Sequence, residues 1–250
     1  TLMRSSAASD VYKRQAYISS KSREMRQWKK MVIPFLFAIP IIVIVGIENL
    51  STCIILLAIS FIMIFVATPL LVPFVVIGLI GVAGAGGLLL TQGYRMERIT
   101  VWLDPAASEK GHQTIQGLYA IGSGGLFGKG LGQSMQKLGF LPEANNDMIF
   151  SVICEELGLF GALCVLALFF ALIWRFMVIA VNAPDLYGSM IVVGVIAHIG
   201  IQVFINIAVA TNTIPNTGIP LPFISYGGSS LVFMLLEMGL VPVSYTHLRA

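Results

Sequence analysis

The clearest pattern in the sequence is a series of long apolar stretches separated by shorter polar ones. A helix needs about 20 apolar residues to cross the hydrocarbon core of a bilayer, where only helices and closed barrels satisfy all their backbone hydrogen bonds. The stretches are residues 31–47, 50–71, 73–90, 159–181, 189–210 and 229–241, of which the first and last are short. The pattern predicts an all-α, polytopic helical membrane protein with these six stretches as transmembrane helices.

One polar interval, residues 91–158, is too long to be a simple connection between two of these helices. Loops beyond about 15 residues are usually functional or disordered. Aromatic residues and alternating apolar positions within the interval argue against disorder. We therefore expect a large extracytoplasmic loop that contains short amphipathic helices lying at the membrane surface.

The composition agrees with a membrane location. Hydrophobic residues make up 57% of the chain and charged residues only 11%, whereas soluble domains carry about 25% charged residues. The net charge of +3 is too small to indicate a nucleic-acid partner. A basic cluster precedes the first apolar stretch: Lys21, Arg23, Arg26, Lys29 and Lys30. Because such flanks stay in the cytoplasm, we predict that residues 21–30 and 182–188 are cytoplasmic, and 91–158 and 211–228 external.

Three polar residues share one face of the fifth predicted helix. His198, Gln202 and Asn206 follow each other at intervals of four residues, which places them on the same side of a helix. Polar groups at membrane depth usually face the bundle interior or a wet cavity. Hydrogen bonds between helices and a polar cavity for a substrate head group explain the pattern equally well.

The glycine-rich run from Gly122 to Gly132 does not match a nucleotide-binding motif. A phosphate loop requires glycine, four residues, then Gly-Lys-Ser/Thr, but Ser123 occupies the first glycine position and Gly130 follows Lys129. The dinucleotide fingerprint also fails for want of its third glycine. We expect a tightly turning loop whose backbone approaches a ligand closely, with Lys129 and Lys137 available to phosphate.

Asp147 stands at the border between the polar interval and the fourth apolar helix. Partial desolvation at such a border raises the pKa of a carboxyl group, which suits a general base. A helix N-cap is the alternative role for Asp147.

In the later loop 216–230, Ser225 and Ser229 lie outside any nucleophile-elbow motif and are interpreted as structural or ligand-contacting. Cys53, Cys154 and Cys164 have no metal-ligand or disulfide spacing.

Taken together, these motifs resemble the SEDS family (shape, elongation, division and sporulation), and more closely its FtsW and SpoVE branch than RodA. The resemblance spans about residues 16–241 and depends on several motifs in the family's order. They are Tyr94-Arg-Met-Glu-Arg-Ile99, Ala120-Ile-Gly-Ser-Gly-Gly125, Gly128-Lys-Gly-Leu-Gly132, Gln136-Lys137, Leu141-Pro-Glu143, Asp147, Glu155-Glu-Leu-Gly158 and Pro222-Phe-Ile-Ser-Tyr-Gly-Gly228.

The resemblance implies a bacterial cytoplasmic-membrane enzyme, a peptidoglycan glycosyltransferase that polymerises lipid II onto a nascent glycan strand. It implies a class B penicillin-binding transpeptidase as partner, besides membrane lipid. Asp147 matches the family's essential loop aspartate and would deprotonate the acceptor hydroxyl. The implied partners of the donor's pyrophosphate are Arg95, Arg98, Lys129 and Lys137. Further predicted substrate-binding residues are Glu143, Gln202, Asn206 and Ser225.

This chain also departs from the family pattern. Asn145 and Asn146 stand where many relatives have His-Thr, so we expect no direct role for that histidine. The family usually has ten transmembrane helices, so we interpret residues 16–243 as a partial membrane domain that is inactive alone. Residues 1–15 and 244–250 are predicted to be non-native tails. The sequence predicts no metal ligands or cofactor but leaves a divalent cation open.

Two other functions compete with polymerisation. The first is a lipid II flippase, which would use the same polar helix faces and wet cavity. The second is a membrane scaffold that recruits the transpeptidase. Asp147 discriminates among them, because neither a flippase nor a scaffold needs a general base at the outer face.

Overall fold

The computed structural model describes residues 44–46, 49–67, 93–108, 111–183 and 185–246, and all regular structure within these ranges is helical. The predicted helix 73–90 and nearly all of 31–47 lie outside the described residues. The helices, numbered here in chain order, are α1 (Leu50–Ala67), α2 (Gly93–Leu103), α3 (His112–Gly124), α4 (Ile149–Val181), α5 (Leu186–Ala210) and α6 (Gly228–Thr246). Short 3-10 turns cover Pro105–Ala107 and Gln136–Leu138. The all-α prediction is confirmed.

Helices α4 and α5 are long and apolar enough to cross a membrane by length and composition. Shorter apolar helices cover Ser51–Val66 and Gly228–Pro242. The predicted fourth helix, 159–181, begins ten residues too late, because α4 starts at Ile149. The helix is nevertheless divided at Gly158, whose φ of 68° and ψ of −168° are not helical. The predicted helix 159–181 coincides with the segment after the break, whereas the helical segment before the break was not predicted.

The described residues belong to two compact units. The first comprises residues 44–46, 49–67, 173–183, 185–201 and 229–246. Its buried residues include the cluster Val45, Cys53 and Leu56. Here His198 Nδ1 lies 2.9 Å from Glu237 Oε2, so His198 has a polar partner on α6, in keeping with an interhelical role.

The second unit comprises residues 93–108, 111–172 and 202–228. Its short helices α2 and α3 agree with the helices expected in the long polar interval. Trp102 Nε1 donates to the carbonyl oxygen of Asn212 at 3.0 Å, which fixes the end of α2 against the turn after α5. The core of this unit includes a cluster that surrounds the chain on both sides of Asp147: Leu141, Ala144, Met148, Val152 and Val209.

The glycine-rich loop 125–130 is joined to α4 at its break. At Gly158 the helix cannot continue its regular ladder, in which each amide donates to the carbonyl four residues earlier. Backbone groups of the loop form hydrogen bonds with the backbone amides and carbonyls of α4 that the break leaves without a partner in the helix. The bonds run from Leu159 N to Gly125 O (2.9 Å), Phe160 N to Leu126 O (3.1 Å), Lys129 N to Glu155 O (2.9 Å) and Gly130 N to Glu156 O (2.9 Å).

Glycines make this approach sterically feasible. A Cβ atom at Gly128 would lie 2.2 Å from the carbonyl oxygen of Glu156, and one at Gly158 would lie 2.3 Å from the amide nitrogen of Gly128. The approach of this loop's backbone to a ligand stays a prediction. The close approach is to α4, because the broken helix offers the unpaired backbone groups that the loop requires.

Candidate functional site

Two loops of the second unit, 141–148 and 212–228, are held together by hydrogen bonds around Asp147. Ser225 Oγ donates to the carbonyl oxygen of Asn146 at 2.6 Å and accepts from Leu221 N at 2.7 Å. Tyr226 N donates to the carbonyl oxygen of Asn145 at 2.8 Å. The Ser225 hydroxyl thus both donates to and accepts from the protein backbone, which supports a structural role for Ser225. Substrate binding by Ser225 stays a prediction.

Asn206 fixes the same region from helix α5. Its side chain is fully buried, and its Nδ2 donates to the carbonyl oxygens of Asp147 at 2.7 Å and Ile219 at 2.8 Å. Asn206 therefore connects the two loops through the backbone carbonyls of Asp147 and Ile219. Gln202, one turn earlier on the helix, is only partly buried, and its contact with substrate stays a prediction.

The carboxyl group of Asp147 is almost completely enclosed, with 7% of the residue exposed. Gln113 Nε2 donates to its Oδ1 at 3.3 Å. Burial raises the pKa of Asp147 above its ordinary value, and the negative charge of Glu143 raises that pKa further, while the backbone amides of Asp147 and Met148 and the Gln113 side chain partly offset the rise. A buried carboxylate with a raised pKa is a stronger base than an exposed one.

The N-cap alternative for Asp147 does not fit these contacts. Helix α4 begins at Ile149, so Met148 occupies the N-cap position. The carboxylate of Asp147 interacts with Gln113 and with the amides of residues 147 and 148, whereas an N-cap side chain bonds to the second or third helical amide.

The two carboxylate oxygens of Asp147 face different surroundings. Oδ1 is occupied by Gln113. Oδ2 faces Gly218, where a Cβ atom would lie 4.0 Å away. Gly218 has a φ of 67°, a conformation that residues with a side chain rarely adopt. Gly218 therefore places no side chain next to Oδ2.

A chain of hydrogen bonds connects Asp147 to Arg98. Gln113 Oε1 accepts from Asn216 Nδ2 at 2.9 Å, and the carbonyl oxygen of Asn216 accepts from a guanidinium nitrogen of Arg98 at 3.1 Å. Neither Gln113 nor Asn216 was predicted from the sequence. The backbone of Arg95 lies in α2, but its side chain lies outside the described part of the chain.

The two predicted phosphate-binding lysines each face a glutamate of α4. Lys129 Nζ lies 2.6 Å from Glu155 Oε1, and Lys137 Nζ lies 2.5 Å from Glu156 Oε1. Glu155 is fully buried and also accepts from Ser134 Oγ at 2.5 Å. Both lysines were expected to be available to phosphate, and the structure shows each of them in an ion pair with a glutamate of α4. Their binding of phosphate stays a prediction.

The remaining predicted site residues are placed as follows. Glu143 is exposed with a positive φ of 52°, and its carboxylate accepts a hydrogen bond from Asn146 Nδ2. Within the described residues, no group of three His, Cys, Asp or Glu side chains is arranged to hold a metal ion. Cys53, Cys154 and Cys164 are free thiols.

Comparison with known sequences places the chain in a family. The sequence profile of the FtsW/RodA/SpoVE family, described as cell cycle proteins, matches residues 7–249. Stage V sporulation protein E of Bacillus subtilis (strain 168) is 46% identical over 231 residues, which is 90% of this chain and 63% of that protein. A protein named probable peptidoglycan glycosyltransferase FtsW from Geobacter sp. (strain M18) is 34% identical over 236 residues, covering 93% of this chain and 64% of the relative.

Solved structures show the same fold. A chain from a study of how a peptidoglycan synthase complex coordinates polymerization and crosslinking aligns with a TM-score of 0.71 at 24% identity, over 93% of this chain and 68% of that one. A variant of the rod shape determining protein RodA from Thermus thermophilus aligns with a TM-score of 0.59 at 26% identity, over 91% of this chain and 62% of that one. This chain therefore belongs to the FtsW/RodA/SpoVE family of polytopic helical membrane proteins.

Proposed function

We propose that this chain carries the catalytic site of a peptidoglycan glycosyltransferase that polymerises lipid II in the bacterial cytoplasmic membrane. The observation that carries the proposal is Asp147, a buried carboxylate with a raised pKa and one oxygen that faces a glycine. The name of the Geobacter relative supports the same activity. Because the chain spans 63% of the Bacillus subtilis relative, the activity is proposed for the protein completed to the length of its relatives.

The chemistry assigns one proton transfer to Asp147. An acceptor sugar hydroxyl attacks the anomeric carbon of the donor, a new carbon–oxygen bond forms, and the bond to the lipid pyrophosphate breaks. The hydroxyl proton passes to Asp147 Oδ2, and the pyrophosphate leaves with the bonding electrons. General-base assistance of this kind is typically worth about 10²–10⁴-fold in rate.

The pyrophosphate requires cationic partners, and the charges of the described residues favour Arg98. Its guanidinium has five N–H donors, and one nitrogen contacts the carbonyl oxygen of Asn216. Lys129 and Lys137 stay proposed partners, but the carboxylates of Glu155 and Glu156 already balance their charges. We therefore expect the lysines to contribute less to pyrophosphate binding than Arg98.

A class B penicillin-binding transpeptidase is the proposed partner. The structural relative described as a peptidoglycan synthase complex is reported to coordinate polymerization with crosslinking. An enzyme that forms glycan strands needs a second activity to join them, so a crosslinking partner suits the proposed product.

The test is polymerisation of lipid II by a chimera. Residues 16–243 of this chain replace the matching segment of the Bacillus subtilis relative, which supplies the rest of that protein's length, and the cognate transpeptidase is added. Asp147→Asn keeps the shape and the hydrogen bond from Gln113 but removes the base, so polymerisation should fall by about 10²-fold or more. Asp185→Asn is the matched control, because Asp185 is exposed and caps α5 through Gly188 N.

Unchanged polymerisation in the Asp147→Asn chimera would refute the proposal. If the parent chimera does not polymerise lipid II, transfer of fluorescent lipid II across proteoliposome membranes would favour a flippase. Retained transpeptidase binding without either activity would favour a scaffold.

A further inference from the structure

Gln113 is the second residue of α3. Among the described residues, its side chain is the one that donates a hydrogen bond to the Asp147 carboxylate. The donor is Nε2, and it lies 3.3 Å from Oδ1. Hydrogen bonds to an ionised acceptor favour the ionised form. Gln113 therefore opposes the effect of burial on Asp147.

The orientation of the Gln113 amide is determined by its second partner. Asn216 Nδ2 donates to Gln113 Oε1 at 2.9 Å, so the oxygen of the Gln113 amide points to Asn216 and its nitrogen points to Asp147. Asn216 is itself held, because its Oδ1 accepts from Gly218 N at 3.0 Å and its carbonyl oxygen accepts from Arg98. An amide nitrogen donates only, so Gln113 cannot accept a proton from Asp147.

We propose that Gln113, oriented by Asn216, is a positioning residue that holds Asp147 ionised through Oδ1 and leaves Oδ2 as the oxygen that takes the proton. The proposal rests on the proposed role of Asp147 as base. It assigns different tasks to the two carboxylate oxygens: Oδ1 is occupied by an amide donor, whereas Oδ2 faces the side-chain-free Gly218.

Few other charges act on Asp147 from the elements around it. Glu143, in the same loop, raises the pKa of Asp147. On α3, His112 is the neighbour of Gln113, and its ring nitrogen bonds to the carbonyl oxygen of Phe140 at 3.1 Å. On α2, Arg98 acts through Asn216. Segment 211–228 contains no Asp, Glu, Lys or Arg. Gln113 is thus the side chain that, together with the backbone amides of Asp147 and Met148, partly offsets burial and Glu143 at this carboxylate.

The test measures how the rate of lipid II polymerisation by the chimera depends on pH. Gln113→Leu removes the donor, and Gln113→Glu keeps the shape but puts a second carboxylate beside Asp147. The acid limb of kcat should therefore move to higher pH by about one to two units in Gln113→Leu, and further in Gln113→Glu, because like charges add to the lost donor.

Two further variants separate positioning from general damage. Gln116→Leu makes the same change one turn along α3 and should leave the acid limb in place. Asn216→Leu should move the limb in the same direction as Gln113→Leu, and adding it to Gln113→Leu should have little further effect, because both act through one amide.

The protonation of Asp147 can also be measured without activity. A carboxylic-acid band in an infrared pH titration, absent from Asp147→Asn, should appear at higher pH in both Gln113 variants than in the parent chimera. If Asp147→Asn is inactive while this band titrates alike in the parent and in both Gln113 variants, the positioning role is wrong and the proposed function stands. If Asp147→Asn polymerises normally, the proposed function itself fails.

Discussion

Gly124, the last residue of α3, should be highly sensitive to the smallest of substitutions. A Cβ atom there would lie 1.9 Å from the carbonyl oxygen of Cys154 and 3.0 Å from Cα of Glu155. Non-bonded heavy atoms attract best at about 3.5–4.0 Å, and the obstructing atoms are backbone atoms that cannot rotate away. Gly124→Ala must therefore push the end of α3 away from α4.

The loss of stability follows from what that displacement breaks. The loop after Gly124 is joined to α4 by the four backbone hydrogen bonds across the break at Gly158. Each intramolecular hydrogen bond contributes about 1 kcal/mol net, so losing all four would lower the free energy of unfolding by about 4 kcal/mol. That loss is a large fraction of the roughly 5–15 kcal/mol that stabilises a typical protein.

Gly122 provides a matched control on the same helix. A Cβ atom at Gly122 would meet no other atom within 4 Å, and alanine is more favourable than glycine inside a helix by about 0.8–1.0 kcal/mol. In detergent, thermal unfolding followed by size-exclusion chromatography should show a lowered Tm for Gly124→Ala and an equal or raised Tm for Gly122→Ala. Equal Tm values for Gly124→Ala and the parent protein would refute the proposed contact between α3 and α4.

Three further predictions concern charged groups of the same unit. Lys129→Met should lower the Tm, because it leaves the fully buried Glu155 without its cation. The loss should be smaller than the roughly 3–5 kcal/mol typical of a fully buried pair, since the Lys129 side chain is 36% exposed, and the double variant with Glu155→Gln should recover much of the Tm. Lys137→Met should have a smaller effect, since Glu156 is partly exposed. Burial raises the pKa of Asp147 in the folded protein, so folding favours the protonated carboxyl group. The stability that this group contributes is therefore present below the unfolded pKa of about 3.9 and is lost as the pH rises through the folded pKa. Asp147→Asn should therefore match or exceed the parent Tm at pH 7 and lose that advantage below pH of about 4.

Much of the architecture was predictable because it depends on local rules. Apolar length and helical period predicted α5 as 189–210, and the structure has Leu186–Ala210. The long polar interval was expected to contain short helices, and α2 and α3 lie there. The start of α4 was missed, because the segment before Gly158 carries the acidic residues Glu155 and Glu156 and does not continue the apolar stretch.

The candidate site was only partly predictable. Asp147 was identified by its place at the polar border and by the family motif around it. The neighbours of Asp147 were not identified, because Gln113 is 34 residues from Asp147 and Asn216 is 103 residues from Gln113. An ordinary glutamine on a short helix carries no signal of its own in a single sequence.

The sequence by itself determined that this is a helical membrane protein of the FtsW/RodA/SpoVE family, since apolar length, charge depletion and motif order can be read along the chain. Tertiary structure alone decided which polar groups meet. It paired Lys129 with Glu155 across 26 residues and His198 with Glu237 across 39, and it set Gln113 between Asn216 and Asp147. The physical reason is that buried polar groups must find hydrogen-bond partners, and folding rather than spacing decides which partners are within reach.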